Sequence, residues 1–248
     1  MTIETDSDVA AALGALGQAD PRLLPVMAAA GPVPLRRSAG GLAGLCGIVV
    51  AQQVSKASAA AILSRFSAAL DLSDPAAMLA AEDDVYRAAG LSRGKCRTIR
   101  ALAEAVRDGR LDFARVEAAS AQDAVAELAA VHGIGVWTAE CYLLFCAGHP
   151  DVFPAGDLAL QVGVAHAFGL ERRPAAKALA ALAEVWTPHR AVAARLFWAY
   201  YAAITRRDAA PQPAAAAEAG NGRGESALST ASSTPAAARP ERERPKSL

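Results

Sequence analysis

The chain has 248 residues, with 25 Lys and Arg against 25 Asp and Glu, so it carries no overall basic field of the kind that advertises a polyanionic partner. Apolar residues make up 53% and aromatics only 5%, and no uninterrupted apolar run reaches the roughly 18 residues of a membrane span. Cys46, Cys96, Cys141 and Cys146 form no C-x-x-C pair, which argues against a zinc or iron–sulfur centre and for reduced core thiols in a soluble, cytoplasmic protein.

In chain order, residues 1–19 read as an acidic and polar lead-in, part helical, with no signal-peptide pattern. The segment "DPRLLPVMAAAG" reads as a helix with Asp20 as N-cap, Pro21 in the first position and Gly31 as the stop. A long buried helix follows over "GLAGLCGIVVAQQVSKASAAAILSRFSAAL", with a break expected near residues 52–54. Ser73 is expected to cap the next helix, and "SRGKCRTIRALAEAVRDG" places Cys96, Ile99, Leu102, Ala103 and Val106 on one face before Gly109 stops it. Further helices are expected from Ser120, through "GVWTAECYLLFCAG", from Asp157, and over "PAAKALAALAEVW" and "PHRAVAARLFWAYYAAITRR". No stretch alternates with period two, so the fold class is all-α, with residues 20–208 as the folded region. Residues 209–248 are rich in Ala, Pro, Ser and Gly and hold too little apolar bulk to offset the entropy of ordering; they are expected to be disordered.

Two short stretches carry chemistry. "HGIG" at 132–135 joins two helices as a tight hairpin. Gly133 and Gly135 allow positive φ and close approach of another molecule, and the second helix then offers unpaired N–H groups and the positive end of its dipole to an anion such as a DNA phosphate. The turn carbonyls can hold a monovalent cation, Na+ or K+. By itself the motif is equally that of an ordinary Gly turn in a bundle. The second stretch is "VFPAGDLALQ", where Asp157 stands before a helix and, taken alone, is an N-cap. It follows Trp137 by 20 residues, one helix and one loop away, in a turn shaped by Pro154 and Gly156. A phosphate-gripping hairpin with a carboxylate one helix away suits N-glycosidic bond cleavage, because the sugar left behind is oxocarbenium-like and a fixed carboxylate stabilises that charge.

Taken together, "VHGIGVWTAE…DVFPAGDLAL" resembles the helix-hairpin-helix-Gly/Pro-Asp (HhH-GPD) superfamily of DNA glycosylases, and within it the DNA-3-methyladenine glycosylase II (AlkA-like) family. The likeness extends over about residues 20–205 through "GIVVAQQVSKASAAAI", "GLSRGKCRTIRALAEAV" and "LAEVWTPHRAVAARLFWAYY". It implies two helical subdomains flanking a DNA-binding cleft, extrusion of a damaged nucleotide, and cleavage of its bond to the sugar. Asp157 matches the catalytic Asp, and His132, Gly133, Ile134, Gly135 and Val136 match the DNA-gripping hairpin. Gln53 aligns with the wedge that fills the gap left by the extruded base; Gln52 beside it, with Ser55 and Lys56 reaching phosphate, completes the expected DNA-binding set. Trp137 stands where the bifunctional members carry a Schiff-base Lys, so a monofunctional enzyme that leaves the abasic site uncut is implied.

Several positions depart from the family. His132 replaces a common Pro, Cys141 stands at an active-site Tyr position with Tyr142 next to it, and His189 replaces a second pocket Trp in "WTPHR". The extra N-terminal α/β domain of the best-known bacterial form is expected to be absent, since only about 20 residues lead up to Asp20. The expected substrate pocket is therefore Trp137, Cys141, Tyr142 and His189, with fewer aromatic faces for an electron-poor base.

The arginines between 87 and 110 read as a solvated helix face or as a DNA-facing flank. No second carboxylate pairs with Asp157 in the sequence, and an alkylated purine, already cationic, leaves without one. The expectation is a monomer that needs no cofactor and acts on double-stranded DNA containing alkylated bases. A non-catalytic helix-hairpin-helix DNA-binding protein is the alternative.

Overall fold

The computed structural model describes residues 2–206 and Ala210; the tail read above as disordered otherwise lies outside the described residues. Among the described residues there is no strand, and thirteen α-helices follow one another through short turns. None is long and apolar enough to cross a membrane.

The lead-in is more regular than its polarity suggests. A capping box formed by Thr5 and Asp8 starts α1 (Asp6–Ala19), which buries Val9, Ala12 and Leu16. Asp20 does not cap the next helix. Its carboxylate accepts bonds from the Arg22 guanidinium at 2.8 Å and from the Trp186 indole at 3.0 Å, so it is drawn inward and α2 starts later (Leu23–Ala30). The long apolar run does break: α3 (Gly41–Ala51) ends at Gln52, and Ser55 caps α4 (Lys56–Ala69).

The middle of the chain continues with α5 (Pro75–Ala80), α6 (Asp83–Ala89), α7 (Arg93–Arg107), α8 (Phe113–Ala118) and α9 (Ala121–Ala129). Asp74, one residue beyond the expected Ser73, caps α5, because Pro75 fits the first helical turn only if the residue before it is the cap. Next, α10 (Val136–Tyr142) widens into a π segment (Leu143–Ala147), and α11 (Leu158–Ala167), α12 (Ala176–Ala183) and α13 (Arg190–Thr205) close the fold.

Two sets of helices pack together. In one, α13 lies against α1, α2 and α11; in the other, α3 is covered by α4, α7 and α10, with α8 and α9 beside them. A continuous apolar core, from Ile3 through Leu45, Leu102 and Phe145 to Trp198, runs through both. Buried Arg195 on α13 binds them, donating to the Leu35 carbonyl at 2.9 Å and to the Leu144 carbonyl of the π segment at 2.8 Å. Gly163 lets α11 approach α13: a Cβ there would lie 3.2 Å from the Phe197 carbonyl oxygen. That approach brings Asp157, at the start of α11, to the indole of Trp198.

Candidate functional site: a carboxylate between two indoles

The loop before α11 is held at both ends. Arg190 grips Asp151 in a two-pronged ion pair at 2.7 and 2.9 Å, and the Gln161 amide donates to the Ala155 carbonyl at 2.9 Å. The Asp157 N–H donates to the Pro154 carbonyl at 2.8 Å, which completes the turn.

The Asp157 carboxylate is then only 9% exposed and accepts four hydrogen bonds. Its Oδ1 takes the N–H groups of Ala159 at 2.9 Å and Leu160 at 3.1 Å, and the indole Nε1–H of Trp198 at 3.1 Å. Its Oδ2 takes the indole Nε1–H of Trp137 at 3.0 Å. Capping is thus only half of its surroundings: two neutral donors from distant helices hold the acid in one orientation beside the half-buried Trp137 ring. A carboxylate this buried is costly unless such donors replace water. Chemically, it is a fixed negative charge at an apolar wall.

The hairpin is built around a contact that sequence reading missed. Gly133 has φ +84°, and a Cβ there would fall 1.9 Å from the Thr98 hydroxyl of α7, so the turn rests directly on that helix. Ile134 is buried and anchors the loop, while His132, Gly135 and Val136 are exposed. Gly135, expected to need positive φ as well, has an ordinary φ of −88°, and a Cβ there would meet nothing within 4 Å. The fold itself therefore makes no demand for glycine at 135. Among the described residues no group of three or more His, Cys, Asp or Glu could hold a metal ion.

The other expected residues divide. Gln52 lies across from the hairpin helix, its amide donating to the Thr138 hydroxyl at 2.9 Å. Gln53 is exposed and sits at φ +56°, an uncommon left-handed conformation for a side chain of this size, held between two helix ends. Ser55 is spent on capping, with its hydroxyl receiving the Ser58 N–H at 3.2 Å, and Lys56 begins α4 on the exposed side. Lys95 donates to the Val50 carbonyl at 2.7 Å, just before the Gln52–Gln53 turn.

The pocket set is corrected in part. Tyr142 is fully buried on the opposite side of α10, where its hydroxyl accepts the Gly41 N–H at 2.9 Å and its ring packs on Phe113. It points away because residues 137 and 142 lie on different faces of a helix with 3.6 residues per turn. Cys141 is fully buried, and burial holds its thiol well above the ordinary range, so it is an inert neighbour of Asp157. His189 is partly buried at the start of α13, where its backbone receives the first-turn N–H groups. Among the arginines, Arg87 pairs with Asp84, Arg100 with Asp83, and Arg107 and Arg110 with Asp108. These pairings make the stretch largely a solvated, self-compensated face.

One hydrogen-bond partner of Asp157 lay outside the sequence reading. Trp198 lies 41 residues away on α13. Glu140 is partly buried on α10, one turn beyond Trp137. Burial, and then the charge of Asp157, push Glu140 up to about 7.

This arrangement has close relatives. Residues 46–189 match the family described as "HhH-GPD superfamily base excision DNA repair protein". The structure of the Schizosaccharomyces pombe 3-methyladenine DNA glycosylase Mag1 in complex with abasic DNA superposes with a TM-score of 0.66 at 26% identity, covering 77% of this chain and 95% of that one. A DNA-3-methyladenine glycosidase from Bacillus halodurans superposes with a TM-score of 0.69 at 30% identity, covering 83% of this chain and 93% of that one. With YfjP of Bacillus subtilis, the chain is 29% identical over 93 residues, which is 38% of this chain and 32% of that longer protein. With a family match over more than half its length, the chain belongs to the HhH-GPD superfamily of base excision DNA repair proteins.

Proposed function

We infer that this protein is a monofunctional DNA glycosylase that extrudes alkylated purines of the 3-methyladenine and 7-methylguanine type from double-stranded DNA and hydrolyses the N-glycosidic bond, leaving an abasic site. The observation that carries the reading is the Asp157 carboxylate, held by four donors against the Trp137 ring. A cationic sugar is the species such a fixed anion stabilises most, and the indole face suits a flat, electron-poor base. The exposed hairpin residues His132, Gly133, Gly135 and Val136 and the exposed Gln53 turn would meet the sugar-phosphate strand and the gap in the duplex. Na+ or K+ on the turn carbonyls would strengthen that grip. The names of the relatives support the same substrate class.

No lysine replaces Trp137 beside Asp157, and Lys95 is engaged with the Val50 carbonyl, which supports hydrolysis without strand cleavage. We place the enzyme in the cytoplasm as a monomer. A non-catalytic DNA binder, the alternative, would bind the same duplex without releasing a base. The test is incubation with methylated duplex DNA, followed by chromatography of the released bases and denaturing electrophoresis of the DNA. Free 3-methyladenine with strands cut only after hot alkali is expected. No released base would refute the reading, and strands cut without alkali, with enzyme trapped by borohydride, would refute the monofunctional part of it.

A further inference from the structure

The cleft between α6 and the start of α7 has no part in the site described above. It encloses about 520 Å³ and is lined by Arg87, Arg93, Arg97 and Arg100, with Asp83 as the acid among them. Two of the four guanidiniums are engaged. Arg87 pairs with Asp84 at 2.6 Å, and Arg100 lies over the Tyr86 ring and donates to the Ala81 carbonyl at 2.7 Å and to Asp83 at 3.0 Å. Arg93 and Arg97 are exposed, and their guanidiniums make no ion pair or hydrogen bond among the described residues.

Local stability does not explain these two. Arg93 opens α7, where the helix dipole favours anions, yet the first turn holds no acidic residue. Arg97 stands four residues on, and like charges at that spacing on a helix repel; Arg100 adds a third charge three residues later. Neither Arg93 nor Arg97 is held by the core. An anion in the cleft relieves both the dipole and the repulsion.

The place of the cleft in the fold indicates which anion. Lys95, between the two arginines in sequence, donates to the Val50 carbonyl at 2.7 Å and so ties this turn of α7 to the Gln52–Gln53 turn. Thr98, next to Arg97, is the residue on which Gly133 of the hairpin rests. The first turns of α7 therefore stand between the two elements that the glycosylase reading assigns to the duplex. Resting on that reading, we propose that Arg93 and Arg97 hold backbone phosphates of the duplex in this cleft, on the flank of the lesion and outside the hairpin. Guanidinium forks match phosphate oxygens, and such contacts add affinity and register without reading sequence. In a chain with as many acidic as basic residues, attraction for a polyanion has to come from local patches of this kind.

Salt dependence tests this, because each phosphate neutralised by the protein releases counterions. The affinity of the full chain for duplex DNA carrying the tetrahydrofuran abasic analogue is followed by fluorescence anisotropy from about 50 to about 200 mM salt. Wild type is compared with Arg93→Gln, Arg97→Gln and the double variant. The control combines Arg107→Gln with Arg110→Gln, which removes two charges at the far end of α7, where both pair with Asp108. The slope of log affinity against log salt is expected to become shallower by about 0.9 for each single variant and about 1.8 for the double, with no loss of melting temperature, and the control is expected to keep the wild-type slope. A wild-type slope in the double variant, or a control that flattens as much as the double, overturns the site and leaves the glycosylase reading, which base release tests, standing. A wild type that binds the duplex at no salt concentration overturns both. Inorganic phosphate separates the other source of the same chemistry: if it raises the melting temperature of wild type and not of the double variant while their duplex slopes coincide, the cleft takes a free anion and the DNA contact is overturned.

Discussion

Asp157→Asn is expected to reduce release of alkylated purines by roughly 100- to 1,000-fold, the scale of removing one preorganised electrostatic contact from a reaction that develops charge. The substitution is nearly isosteric, and the amide oxygen can still accept the Ala159 and Leu160 N–H groups and the Trp198 indole. The amide nitrogen, however, must then face the Trp137 N–H, 3.0 Å from the present Oδ2. Two donors in opposition cost about 1–3 kcal/mol, so the variant should fold with a modestly lowered melting temperature. Activity should fall far more than stability, because the charge opposite the sugar is gone while the helix cap survives. Single-turnover base release and a thermal melt on the same preparation separate the two effects.

Gly133→Ala is expected to have the largest effect on stability. The added Cβ would lie 1.9 Å from the Thr98 Oγ1 and 2.9 Å from its Cβ and Cγ2, and φ at 133 is +84°. Left-handed backbone costs a side-chain-bearing residue about 1–2 kcal/mol, and an overpacked site costs about 1–3 kcal/mol. Together they predict a loss of about 2–5 kcal/mol, or about 5–15 °C in melting temperature for a domain of this size. The hairpin must also lift from α7, so affinity for duplex DNA should fall with it. Gly135→Ala is the control. Its Cβ would project into open space, so the melt should be unchanged while DNA binding weakens. Circular-dichroism melts and fluorescence-anisotropy titrations of the two variants check this contrast, and equal melts for Gly133→Ala and wild type would contradict it.

The features legible in the sequence are those set by neighbours along the chain. The helix start at Ser120, the cap at Asp157 and the break near residues 52–54 follow from local turn chemistry, and they appear where expected. The short helices α6 and α8 carry too few turns to show a period; their local signals, the Gly90 stop and the Asp112 cap, flank segments too short to be told from turns. Asp20 looked like a cap and became a partner of Trp186, 166 residues away, because burial of that indole N–H required an acceptor. The same limit governs the site. Asp157 and Trp137 belong to one hairpin-and-loop motif and could be joined on paper. Trp198 reaches Asp157 only because α11 and α13 pack closely, and the partial burial of Glu140 on α10 is set by the same packing of distant helices. Tyr142 shows the converse, since adjacency to Cys141 in sequence put it on the face of α10 that the core claims.

In the proposed reaction the Asp157 carboxylate stands where positive charge forms on the sugar. The most direct measurement compares the affinity for duplex DNA carrying a cationic pyrrolidine abasic analogue with that for the same duplex carrying the neutral tetrahydrofuran analogue, in wild type and in Asp157→Asn. Wild type is expected to prefer the cation by about 100-fold, equivalent to about 2.7 kcal/mol, and Asp157→Asn to lose that preference. Equal affinities of wild type for the two analogues, or a preference that survives the substitution, would contradict it.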